Sequence, residues 1–235
     1  MPSPTQRDVS AAYAIEAART AFGDVPVVDT TELRGGSFGS VWRVDLADGR
    51  RTMLKVGARP GARLLTYERD MLAEEANYLR IVASGAPDVP TPRLLFETAD
   101  WLFMTHLPGV ALPDLRRDID TTAVREECGA AFARLHAITG DFFGYPGDRP
   151  RAGTWPAAFT SMIDALMSDA DSFDVTLPVT PSAVRSVIAA HRDTLATVSV
   201  PSLVHFDLWD GNVLATPDAD ATAHLSGFVD GERYL

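Results

Sequence analysis

The sequence predicts an α+β protein of two lobes, a five-stranded antiparallel sheet with one main helix followed by a mostly helical half. Three observations carry that expectation. Short β-branched and aromatic runs bounded by turn signals occupy Val25 to Val56 and Arg93 to His106. Apolar residues at helical spacing dominate from Thr121 onward, and Leu107-Pro108-Gly109 interrupts the chain between the two patterns. A length of 235 residues suffices for one ordinary domain or for two small lobes sharing an interface.

Taken in order, Val9, Ala12, Tyr13, Glu16, Ala17 and Thr20 give a short amphipathic helix over residues 9–21. From Val25 to Val56 the runs form a three-stranded antiparallel meander. Gly35, Gly36 and Gly39 lie between its first two strands, and the Asp48-Gly49 turn signal between the second and third. Arg59 to Arg63 breaks the meander. Thr66 to Ser84 then places Met71, Leu72, Leu79 and Val82 on one helical stripe. Pro90 and Pro92 mark a loop, and Arg93 to Glu97 and Trp101 to His106 complete the sheet. In the second half Val124, Cys128, Phe132, Leu135 and Ile138 make one stripe, further helices are expected over 155–170 and 181–197, and Val213 to Ala215 and His224 to Val229 read as short strands.

Composition narrows the function class. Hydrophobic residues make up 46% and charged residues 23%, with no uncharged apolar run approaching the roughly 18 residues of a membrane-spanning helix. The N-terminal stretch Met1 to Arg19 carries acids and lacks a secretory pattern, and the single Cys128 cannot form an internal disulfide, so a cytoplasmic, reducing location is expected. A net charge of −11 repels a phosphate backbone and argues against nucleic acid, while a cationic small molecule would be attracted.

Two scarce residue types stand out. Lys55 is the lone lysine beside twenty arginines, set in the apolar run Thr52-Met53-Leu54-Lys55-Val56. A compact ammonium donates in three directions, which a guanidinium fork does not reproduce. Asparagine occurs only at Asn77 and Asn212, the latter within the polar cluster His205-Phe206-Asp207-Leu208-Trp209-Asp210-Gly211-Asn212. Glu75 lies three residues after Leu72 and four before Leu79, on the sheet-facing side of its helix. A buried carboxylate there needs a cation, and Lys55 is the expected partner, with Glu74 the competitor if the helix is rotated. Arg34 to Val41 lies between two strands, so its glycines fit neither a Walker loop nor a dinucleotide fingerprint and instead suggest a flap over phosphates. Asp207, Asn212 and Asp230 supply oxygen donors suited to Mg²⁺, and one such Asp can accept a hydroxyl proton. The five histidines show no metal-ligand spacing. Asp169, Asp171, Asp174 and Asp210 are further acids open to a cationic acceptor, with no spacing that makes them converge.

With these residues in hand, the chain resembles the aminoglycoside phosphotransferase and choline kinase-like branch of the protein-kinase fold, from about Thr31 to Tyr234. Gly36, Ser37, Phe38, Gly39 and Val41 match the nucleotide loop, Lys55 its phosphate-binding lysine and Glu75 the partner acid. Phe103 to Gly109 resembles the hinge, implying Met104 behind the adenine and the Thr105 carbonyl and Leu107 amide along its edge. Val204 to Leu214 is the most specific match, implying Asp207 as catalytic base and Asn212 as a magnesium ligand, with Asp230 as the second metal acid. The resemblance thus implies an ATP- and Mg²⁺-dependent O-phosphotransferase for a small-molecule hydroxyl, an aminoglycoside first, with homoserine, choline, a macrolide or a sugar open. Residues 1–107 would form the nucleotide lobe with the hinge, and 108–235 a helical lobe lacking its final helices. Phe206 stands where the family usually has a small residue, implying a more crowded catalytic loop. The rival expectation is a nucleotide-binding fragment without turnover.

Overall fold

The computed structural model describes residues 5–33 and 38–234. Ala11–Phe22 forms helix α1, with the Ser10 hydroxyl accepting from Tyr13 N at its start. Strands β1 (Val27–Leu33), β2 (Ser40–Leu46) and β3 (Arg51–Val56) follow, then helix α2 (Met71–Gly85) and strands β4 (Leu94–Glu97) and β5 (Trp101–Thr105). The five strands make one antiparallel sheet in the order β1-β2-β3-β5-β4.

Two-residue alternation in β3 decides what each face of that sheet receives. Leu54 and Val56 join Trp42, Val44 and Phe103 in a core that includes Ala14, Ala17 and Ala18 of α1. Met53 belongs to the second core, with Ala76, Leu79 and Val82 of α2. Lys55 shares the register of Met53 and is therefore delivered to the α2 side.

Beyond Thr105 the chain forms β6 (Val110–Ala111), α3 (Thr122–His136), the small hairpin β7 (Phe143–Gly144) and β8 (Arg151–Ala152), and helices α4 (Trp155–Ser172), α5 (Pro181–Ala190) and α6 (Arg192–Leu195). Strands β9 (Val213–Pro217) and β10 (Ala223–Phe228) complete a three-stranded sheet in the order β10-β9-β6. Helix α3 lies on β10, where Phe132 and Phe228 meet at 5.1 Å between ring centres. Cys128 is buried on the inner stripe of α3, as its spacing implies.

Three segments differ from the sequence reading. The helix expected from Thr66 begins at Met71, because Thr66–Glu68 forms a separate 3₁₀ turn and Asp70 adopts a left-handed conformation, φ 56°. That turn is tied elsewhere: Thr66 donates to Asp169 from both its amide and its hydroxyl, at 2.7 and 2.8 Å. The helix expected over 181–197 divides at His191, whose φ of −108° and ψ of 15° leave the helical range while its ring Nδ1 lies 2.8 Å from the Val187 carbonyl. The segment after Leu107 carries a strand, β6, which reaches β9 because Gly109 at φ 95° passes so close to the Ala215 carbonyl that a Cβ would collide.

Candidate phosphoryl-transfer site

The ammonium of Lys55 is the centre of the site. It lies 2.7 Å from Glu75 Oε2 on α2, 2.9 Å from Asp230 Oδ1 just beyond β10, and 3.2 Å from Glu232 Oε2. The chain thus brings together groups 175 residues apart. Glu75 rather than Glu74 faces the lysine. Glu74 is turned to Tyr234, whose hydroxyl donates to it at 3.1 Å, with Arg149 4.0 Å away.

Three carboxylates around one cation would carry a net charge of −2 were all of them ionised, an imbalance that burial penalises. Burial alone would pull the lysine down, but Asp230, Glu232 and Glu75 together hold it well above its usual range. Burial pushes Glu75 up to about 8 against the pull of Lys55, with Glu232 and Asp230 adding to the rise. Asp230 is held below the ordinary carboxylate range chiefly by Lys55. Among the described residues these three acids are the one group whose ligand atoms all lie within 4.8 Å of one another. An all-oxygen, under-neutralised donor set suits a hard divalent cation such as Mg²⁺.

The catalytic-loop candidates are assembled by backbone contacts. Asn212, 5% exposed, donates from Nδ2 to the Asp207 carbonyl at 2.7 Å, and its own carbonyl accepts from Val229 N at 3.1 Å. Its carboxamide oxygen is thereby left as the acceptor atom. Asp230 follows in a left-handed conformation, φ 62°, and Gly231 passes so close to Tyr78 of α2 that any Cβ would strike the ring. Tyr78 in turn lies edge-on to His205 at 5.5 Å.

His205 Nε2 lies 3.0 Å from the Val229 carbonyl, so that nitrogen carries the proton of the neutral ring. Burial lowers its pKa below 6.5, despite the acids nearby. A depressed histidine stabilises the fold above pH 6.5 and loses that contribution as pH falls toward its folded pKa. The slope should approach ~1.4 kcal/mol per pH unit. Urea midpoints measured from pH 6.5 down to 5.5 should therefore fall more steeply for the native chain than for His205→Gln. The difference between the two isolates His205 from Glu75, whose raised pKa acts with the opposite sign over the same range. Parallel curves would refute a buried neutral His205.

At the expected nucleotide loop, Phe38, Gly39, Lys55, Glu75 and Glu232 line one hollow. A Cβ at Gly39 would collide with the Val56 carbonyl, so the loop end lies directly against β3. Val41 pairs with Lys55 across β2 and β3. Gly36 and Ser37 lie outside the described residues. At the expected hinge Met104 is buried between β3 and β4, and Thr105 exchanges contacts with Arg93, donating from its amide to the Arg93 carbonyl and accepting from Arg93 N, each at 2.9 Å. Leu107 is half-buried over Gly227, where a Cβ would meet its side chain.

Sequence reasoning missed Glu232 and Arg233. Arg233 Nη1 lies 3.4 Å from Asp207 Oδ2, so the two residues after Gly231 place opposite charges on Lys55 and on Asp207. Of the further acids, Asp210 is taken by Arg125 through two contacts of 2.6 Å, an exposed pair contributing no more than about 1 kcal/mol. Asp169 alone of the four lines the large cavity beside Phe206.

The model of the phosphotransferase enzyme family matches residues 29–233. The chain belongs to that family. Its members are small-molecule phosphotransferases, and a search of curated proteins returns no match. Among solved structures, the phosphotransferase chain resembles a Thermobifida fusca protein provisionally described as a fructosamine-3-kinase, at 22% identity and a TM-score of 0.67, covering 93% of this chain and 75% of the other. A macrolide 2′-phosphotransferase from Brachybacterium faecium gives 19% and 0.56, over 94% and 72%. APH(2″)-IIa in a ternary complex with streptomycin and ATP gives 14% and 0.59, over 97% and 72%. At these identities the likeness establishes a shared kinase-like fold, and no helix among the described residues is long and apolar enough to cross a membrane.

Proposed function

We propose that this phosphotransferase is an ATP- and Mg²⁺-dependent enzyme that phosphorylates a hydroxyl group of a small molecule. The observation that carries the reading is the 2.9 Å approach of Lys55 to Asp230, which brings β3 of the first half against the segment beyond β10 of the second. Residues 1–107 would act as the nucleotide lobe and 108–235 would present the catalytic loop and the acceptor.

In this reading Lys55, oriented by Glu75, binds the nucleotide phosphates beneath the loop containing Gly36, Ser37, Phe38, Gly39 and Val41. Met104 backs the adenine, with the Thr105 carbonyl and Leu107 amide along its edge. Asn212 and Asp230 hold Mg²⁺, which when bound neutralises charge on the phosphate oxygens. Asp207 orients the acceptor hydroxyl and takes its proton. Little covalent chemistry is demanded of the protein, so positioning and charge stabilisation supply the rate. The net charge of −11 favours a cationic acceptor such as an amino sugar in general terms; the cavity beside Asp207 bears on that choice more directly.

The test incubates the 235-residue chain with ATP, Mg²⁺ and a broad panel of hydroxylated small molecules. The expected result is a product 80 Da heavier by mass spectrometry, about the mass of one added phosphoryl group, that disappears without Mg²⁺. Binding of an ATP analogue with no product from any acceptor would assign a nucleotide-binding role without transfer.

A further inference from the structure

From the cavity next to Asp207 we infer that the acceptor carries its hydroxyl on an uncharged aromatic or alicyclic body, and is not a polycationic amino sugar. This inference rests on the phosphotransferase reading and specifies its substrate class. The cavity measures about 490 Å³, within the range of roughly 300–1,000 Å³ usual for small-molecule sites. It is joined to the reacting groups at two points. Phe206, the residue before Asp207, forms part of its wall, and so does Arg233, 3.4 Å from the Asp207 carboxylate.

The wall is aromatic. Trp155 and Phe159 of α4 face it along with Tyr67 and Tyr145. Tyr145 meets Phe206 edge-on at 5.8 Å and stacks on Tyr67 at 6.2 Å. Phe206 remains 49% exposed and adopts a left-handed backbone conformation, φ 64°. For a bulky residue that conformation is strained, with no complete burial to offset it. The crowding implied by the family comparison does not arise, because the ring is directed to the cavity wall and not into the core.

Charge decides against an amino sugar. Among the described residues Asp169 is the one carboxylate of the wall, and it is 7% exposed with both oxygens engaged by Thr66. The one cation of the wall among the described residues, Arg233, lies over the Tyr67 ring at 5.4 Å. An adjoining hollow of about 440 Å³ adds a second cation, Arg63, and one carboxylate, Glu68, which is turned back onto Leu65 N at 2.9 Å. Several ammonium groups would therefore enter a region where, among the described residues, two arginines balance Asp169 and Glu68 and no excess of negative charge awaits them. Stacking and apolar contact are what these surfaces offer. In the reaction, the acceptor oxygen forms a bond to the γ-phosphorus of a nucleoside triphosphate. The bond from that phosphorus to the β–γ bridging oxygen breaks, the nucleoside diphosphate leaves, and the hydroxyl proton passes to Asp207.

Isothermal titration and product analysis of the 235-residue chain with Mg²⁺ test this. The acceptor probes are chloramphenicol and naringenin as neutral hydroxylated aromatics, and kanamycin as the polycation. The expected result is binding of at least one neutral probe at least tenfold tighter than kanamycin, with phosphorylation in the presence of ATP. Leu166→Asp adds a negative charge to the cavity wall at a position already 42% exposed. It should weaken the neutral probe at least tenfold and leave affinity for the ATP analogue AMP-PNP unchanged. Tighter kanamycin binding, no binding of either neutral probe, or an unchanged neutral probe in Leu166→Asp would overturn the inference. The AMP-PNP titration stands apart: its failure in the native chain would overturn the phosphotransferase reading itself, since Lys55, the proposed phosphate ligand, is not part of this cavity's lining.

Discussion

Replacing Asp207 by alanine is expected to lower kcat at least about 100-fold while AMP-PNP affinity stays within about twofold, because a positioned general base contributes on the order of 10²–10⁴. The lower end is anticipated here. Phosphoryl transfer has a loose transition state in which little proton removal has occurred, so orientation of the hydroxyl outweighs basicity. The local structure makes the comparison clean. Asn212 grips the Asp207 carbonyl and not its carboxylate, so truncating the side chain leaves the 2.7 Å loop contact in place. The carboxylate is itself 34% exposed, which limits any loss of stability. Asp207→Asn keeps the shape and an oxygen that can still accept from the hydroxyl, so it should lose turnover but less than the alanine variant. Removing Asp207 also frees Arg233, and Arg233→Ala separates that effect. Turnover retained in both Asp207 variants would end the base assignment.

The sequence disclosed those parts of the site that break local rules. A lysine alone among arginines, placed at a period-two position of an apolar strand, has few explanations in a solvated face, and the structure puts it under three carboxylates. Glu75 was legible because its helical spacing put a charge where Leu72 and Leu79 are. Glu232 and Arg233 gave no such signal. In Gly231-Glu232-Arg233-Tyr234 they read as an ordinary polar stretch, and only the left-handed Asp230 and the close passage of Gly231 over Tyr78 turn them inward. Strands β6, β7 and β8 have two residues each, too few for any period. The apolar stripe of α4 has the spacing of a core helix, yet Trp155, Phe159, Met162 and Leu166 border a cavity, a distinction that depends on what lies opposite and so on tertiary contacts alone.

Lys55→Met should produce the largest loss of stability of any single change in the site. The substitution keeps the length and apolar stem of the side chain and removes its charge, leaving Glu75, Asp230 and Glu232 facing one another. Their exposures set the balance: the side chains of Glu75 and Glu232 are 2% and 9% exposed, while Asp230 at 43% is partly screened by water. The buried legs dominate, and removing one partner of a buried pair costs about 3–5 kcal/mol. The cost should be smaller at low pH, because Glu75, already pushed up to about 8, readily takes a proton when its cation is gone. Midpoints of urea unfolding for native and Lys55→Met chains should therefore converge as pH falls from 8 to 5. A second replacement separates folding from binding. Lys55→Met combined with Glu75→Gln removes one charge of each sign and should recover much of the stability. AMP-PNP binding should stay at least about tenfold weaker than native in that double variant, since the phosphates still lack the ammonium. Native nucleotide affinity in the refolded double variant would show that Lys55 is a structural cation and not the phosphate ligand.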